Sequence, residues 1–213
     1  MQGSKIARWW LAVNAVVVLV GIGVQIAVTA GFDGGRFSSP AARVANLFCF
    51  FTIDSNLLVG FTSAAFALGL SRPRTLFQVL RLDALVGIAV TGIVFQVALA
   101  GLNDLSGWGA FADTMLHKVS PILCVLGWLL FGPRALLSWR VVWWSLVFPL
   151  GWLVFTLIRG AIIDYYPYPF VDVTVLGYGQ VTVNCLLVGV LFTGLAAVAL
   201  LFDRATVRSA TTE

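Results

Sequence analysis

The stretch "FCFFTIDSNLLVG", residues 48 to 60, sets Thr52, Asp54, Ser55 and Asn56 within five positions of an otherwise apolar run. A second stretch, "DTMLHKVSPILCVLGW", residues 113 to 128, carries the only histidine, His117, four residues before Pro121. A third, "TLIRGAIIDYYPYPFVDV", residues 156 to 173, brings Arg159 close in sequence to Tyr168 and Asp172. Hydroxyls, an amide, a carboxylate, an imidazole and a guanidinium can exchange hydrogen bonds and move protons. On a wet surface such groups cost little. In lipid an Asp or Arg at a helix centre costs about 2.5 to 3.5 kcal/mol, so it faces a bundle interior or a watery cavity.

Composition places these residues in lipid. The chain of 213 residues is 60% hydrophobic and only 10% charged, against about 25% charged in a soluble domain; its mean hydropathy is +0.99. A helix needs about 20 mostly apolar residues to cross roughly 30 Å of hydrocarbon. Such runs lie near 8–30, 43–70, 80–101, 114–132, 141–163 and 178–202. The expectation is an all-α, polytopic membrane protein: one six-helix bundle, residues 1–213, joined by short connections.

The net charge of +4 does not mark a nucleic-acid binder, because the basic residues are spread evenly. Lys5, Arg8, Arg72, Arg74, Arg81, Arg134, Arg140, Arg204 and Arg208 fall at one set of helix ends, and Asp33, Asp104, Asp113, Asp164 and Asp172 at the other. The positive-inside rule then puts both termini in the cytoplasm, in a cell membrane. The first run is longer than the apolar core of a signal peptide and reads as a retained helix. Cys49, Cys124 and Cys185 are widely spaced and read as buried free thiols, with no metal-ligand spacing and no cofactor motif. Gly23, Ala27 and Gly31 form a small-residue stripe suited to close helix packing, and Trp9, Trp10, Trp139, Trp143 and Trp144 read as interface anchors.

At roughly 100° per residue, Thr52, Ser55 and Asn56 share one face of helix 2, while Asp54 points roughly 200° away from Thr52. The Thr52 face is read as a cavity lining and Asp54 as the partner of another helix. Arg159, basic near an outer end, needs a carboxylate, with Asp54, Asp164 and Asp172 as candidates. In a continuous helix 2, Thr52 lies nine residues, roughly 13 Å, below the outer end. Pro121 has no N–H to offer the His117 carbonyl, so a kink is expected there; His117, Ser120, Pro121, Cys124 and Trp128 mark one stripe. The tyrosines and prolines around Tyr168 read equally as a lid or as an interfacial aromatic belt. Plain helix-to-helix hydrogen bonding competes with each of these readings.

Taken in order, "FFTIDSNLL", "HKVSP" and "YYPYPFVDV" resemble the bacterial Pr-six-Pr membrane proteins and, more distantly, the androgen-induced gene family of intramembrane threonine hydrolases. That resemblance implies a six-helix fold in which Thr52 is the nucleophile on a fatty-acid or lipid ester and His117 its general base. A threonine hydroxyl needs such a base, and a third group that orients the histidine would complete the arrangement. Geometry then demands that helices 2 and 4 be neighbours, with helix 4 starting early, near Trp108 to Phe111. Three functions follow as expectations: an intramembrane ester hydrolase, a non-enzymatic lipid-binding or transport protein using Asp54, His117 and Arg159, or a structural bundle. Membrane lipid, or a lipid-like molecule, is the expected partner.

Overall fold

The computed structural model describes residues 5–71, 74–102 and 104–209, with side chains to residue 207. Arg72 of the basic set lies outside these residues, as does the side chain of Arg208. The regular structure of the described chain is all helix, with no strand. Five stretches are long and apolar enough to cross a membrane, and a sharply bent pair of helices makes a sixth when counted as one span. The chain divides into two compact units, Met1–Pro133 and Arg134–Glu213.

In the first unit, α1 (Lys5–Gly31) buries a stripe of Ala7, Asn14, Val18, Gly21 and Ile22. Its last carbonyls have no partner within the helix. Arg43 supplies one, donating to the carbonyls of Thr29 at 3.2 Å and Ala30 at 2.9 Å. The short α2 (Pro40–Leu47) starts on Ser39, whose hydroxyl accepts from the Ala42 N–H at 3.1 Å, with Pro40 in the first turn where its missing N–H does no harm. Then the chain turns by 70° into α3 (Phe51–Ala67). The helix expected over 43–70 is therefore broken, although Phe48, Cys49 and Phe50 include neither Gly nor Pro.

The helix α4 (Thr75–Val94) is buried continuously from Leu82 to Ile88 and ends in a π-helical turn, Phe95–Leu99. A fourth span begins as α5 (Gly107–Thr114), widens into a π-helical turn over Met115–Val119, and continues as α6 (Ser120–Phe131). It runs the length of Gly107–Phe131. Arg8 at the start of α1 donates to the Ala67 carbonyl at the end of α3, and Trp10 donates to Leu123 in α6. Both α3 and α6 thus run opposite to α1 and parallel to each other. Val18, Ile22, Leu47, Ile53, Val59, Ala84, Ile88 and Leu116 form the core between them.

The second unit holds α7 (Trp139–Ser145), α8 (Val147–Ile163) and α9 (Val173–Ser209), the last broken at Gly177, whose φ of 72° is not helical. Asp203, 1% exposed, accepts from the N–H groups of Ala135, Leu136 and Leu137 at 3.0, 3.1 and 3.0 Å and pins the non-helical segment before α7. Burial lowers the pKa of the nearby Arg134 guanidinium, and the Asp203 charge opposes that shift. The outward surface of both units is apolar: Val16, Leu19, Leu130, Leu150, Val154, Ile162, Leu187 and Val190 are all more than half exposed. Meanwhile Asn14, Ser55, Asn56, Ser120 and Thr156 are buried. Water as solvent would favour the opposite arrangement.

Candidate functional site

The break after Phe50 moves Thr52. It stands in the first turn of α3, not nine residues down a continuous helix, because α3 is a separate helix that starts at Phe51. Thr52, Ser55 and Asn56 are buried, at 6%, 0% and 0% exposure, along one stripe with Val59 and Ser63. Asp54 is only half-buried.

Pro121 shapes the other wall. The Ser120 N–H bonds back five residues to the Met115 carbonyl. In that widened register the Leu116 carbonyl should meet the N–H of residue 121, and proline has none. Asn56 takes its place: its Nδ2 donates to Leu116 at 3.1 Å and also to the Thr52 carbonyl at 2.9 Å. The helix meets the proline with a π turn beside the His117 carbonyl, where a kink was expected, and in that register the group left without a backbone donor belongs to Leu116. The amide of Asn56 ties the first turn of α3 to the residue before His117.

His117 is fixed on two sides. Its Nδ1 lies 2.9 Å from an Asp113 carboxylate oxygen and 3.2 Å from the Asp113 carbonyl, so Nδ1 carries the proton in the neutral ring and Nε2 is left as the acceptor. The ring face stacks on Phe95, with centroids 4.2 Å apart and planes 15° from parallel. Phe95 opens the π turn of α4 and His117 lies in that of the next span, so the two widened turns meet at this stack. Gly92, one turn before Phe95, allows the approach: a Cβ there would sit 3.3 Å from the Pro121 ring.

Asp113 was legible only as an acidic residue near an outer end. Its spacing of four from His117 was the signal for the pair. Phe95 had no such local mark.

Arg159, Tyr168 and Asp172 belong to the second unit, whereas Thr52, Asp54, Ser55, Asn56 and His117 belong to the first. Within its unit, the Arg159 guanidinium lies 5.7 Å from the Tyr165 ring centroid. Tyr168 is buried, stacked on Phe170 at 5.2 Å and tilted against Trp152 at 5.8 Å. Asp172 caps α9, accepting from the Thr174 N–H at 2.9 Å and its hydroxyl at 2.5 Å. Burial raises the pKa of Tyr166 first, and Tyr178, Asp172 and Asp164 raise it further. No group of three His, Cys, Asp or Glu side chains suited to a metal occurs among the described residues. Compared with known proteins, the chain matches no family model, no curated protein and no solved structure.

Proposed function

We propose that the chain is a multi-pass protein of the cell membrane, with six spans and cytoplasmic termini, and that its first unit is an intramembrane hydrolase of fatty-acid or lipid esters. The membrane reading is supported by the apolar outer surface and by the alternation of Arg-rich and Asp-rich helix ends. Accessibility mapping tests it: cysteines placed at Phe170 and Arg140 should react from opposite sides, and reaction from the same side ends the topology.

The observation that carries the hydrolase reading is the Asp113–His117 pair, set beside α3 by the bond from Asn56 to Leu116. In this mechanism Nε2 of His117 takes the proton of Thr52 Oγ1, and that oxygen attacks the ester carbonyl. The carbonyl oxygen gains negative charge near the first turn of α3, whose dipole is positive there. His117 returns its proton to the leaving alcohol. Asp113 holds the ring in the required tautomer and steadies the imidazolium, as the third member of a nucleophile, base and orienter set.

A second reading, lipid binding or transport, draws on the two π turns that meet at Phe95 and His117, since paired interruptions of neighbouring helices accompany transport sites. A lipid-directed fluorophosphonate probe separates the two. Labelling of the wild type that is lost in Thr52→Ala and in His117→Ala supports hydrolysis. Wild-type protein that stays unlabelled, or Thr52→Ala protein that still labels, refutes it and leaves the pocket reading.

A further inference from the structure

The core of the first unit buries polar atoms that the protein does not satisfy. Nδ2 and Oδ1 of Asn14, Oγ of Ser55, Oδ1 of Asn56, Oγ1 of Thr91 and Oγ of Ser120 are sealed from solvent without a hydrogen-bond partner. Thr91 is 5% exposed and the other four residues 0%. Six such atoms left bare would outweigh the margin that keeps a domain folded. A native interior answers such atoms with partners, and where the protein offers none the partner is ordered water.

The atoms come from four helices and fall within a band along them. Gly21 packs on Leu116, Gly60 on Val18 and Gly92 on Pro121, and Asn56 bonds to Leu116. Asn14 lies one turn inward of Val18, Thr91 adjoins Gly92, and Ser120 adjoins Pro121. From Asn56 to Asn14 the spread is about seven residues of helix, roughly 10 Å. Every member is neutral, and donors mix with acceptors. A bare cation would find no counter-charge here, nor would an anion. Asp83 Oδ1 is also unpartnered, but it projects roughly 140° around α4 from the core residue Ile88 and stands apart from the set.

We propose that the core of the first unit holds a cluster of ordered water, bound by Asn14, Ser55, Asn56, Thr91 and Ser120 from the level of His117 inward, and that this water is the co-reactant of hydrolysis. The second half rests on the hydrolase reading. A cluster water gives a proton to His117 as its oxygen bonds to the acyl carbon carried on Thr52. The bond from that carbon to Thr52 Oγ1 breaks, the proton passes to Oγ1, and a free carboxylic acid leaves. On the membrane reading hydrocarbon surrounds this core, and an internal store keeps water beside the acyl carbon.

Thr91→Val and Ser120→Ala replace hydroxyls with apolar groups of similar or smaller size. In a dry core each deletes an unsatisfied group and raises Tm; in a wet core each breaks the water network and lowers it. We expect each to lower Tm by about 2 to 4 °C, and a rise or no change in either overturns the cluster. X-ray radiolytic footprinting of the wild type in oxygen-18 water reads the same cluster without a variant. Oxidation of Leu116, 1% exposed, is expected, and its protection overturns the cluster. With ester substrate, Ser120→Ala should leave roughly tenfold more protein trapped as acyl-enzyme, and no increase overturns the co-reactant role. A lowered Tm and an oxidised Leu116 in a protein without turnover would uphold the cluster and bring down the hydrolase reading.

Discussion

Replacing Asn56 with Leu should unmask the carbonyl that Pro121 strands. The substitution keeps the side chain's size and removes two bonds, to Leu116 at 3.1 Å and to Thr52 at 2.9 Å. The Thr52 carbonyl sits in a regular helix and keeps its backbone donor. The Leu116 carbonyl does not, because the Ser120 N–H is engaged with Met115 and residue 121 has no N–H. A buried acceptor left bare costs about 1 to 3 kcal/mol, so Tm in detergent should fall by about 4 to 8 °C for a cost near 2 kcal/mol at this chain length. Pro121→Ala supplies the missing N–H. In that background Asn56→Leu should cost about 1 kcal/mol less, measured by a double-mutant cycle on thermal unfolding. Additivity within about 0.5 kcal/mol would refute the argument that Asn56 is present to serve the carbonyl freed by the proline.

Gly160→Ala would drive a Cβ into the Tyr166 ring, and overpacking of this kind costs about 1 to 3 kcal/mol; Tyr166→Ala should relieve it, and a Gly160→Ala protein as stable as the wild type would show that the ring moves freely. Asp203→Asn keeps one acceptor for three N–H groups and sets an amide donor against them, so about 3 kcal/mol should be lost, and equal chymotrypsin cleavage after Leu136 in the two proteins would count against the clamp. The raised pKa of Tyr166 means that its neutral form is favoured in the fold. Its contribution is therefore complete below the ordinary tyrosine pKa of about 10 and is lost as pH climbs through the higher folded value. Tyr166→Phe should flatten the fall of stability above about pH 10, and an unchanged slope would mean that another group titrates.

Local chemistry was readable where it depended on composition and spacing along one helix. The apolar runs announced helices because 20 apolar residues have no other economical use, whereas the starts capped by Ser39 and Ser138 lie a few residues before the expected 43 and 141. The buried stripe of Thr52, Ser55 and Asn56 followed from a period of 3.6 residues. His117 and Pro121 were conspicuous by type and by their separation of four. Asp113 shared that spacing with His117 and was still missed, because its place near a helix end already had a bland reading.

What the sequence by itself determined was an all-helical chain of long apolar runs, and a short set of polar residues too costly to lie against lipid. Tertiary structure alone decided how those residues are answered. The 70° break before Phe51 has no Gly or Pro to announce it. The exchange of the Leu116 carbonyl's missing partner for the amide of Asn56, and the stacking of Phe95 on His117, join residues 60 and 22 positions apart. A helix satisfies its backbone from within four residues, so its own sequence foretells its form. A proline or a π turn frees a group whose next partner must come from another helix, and no local pattern names which helix will be there.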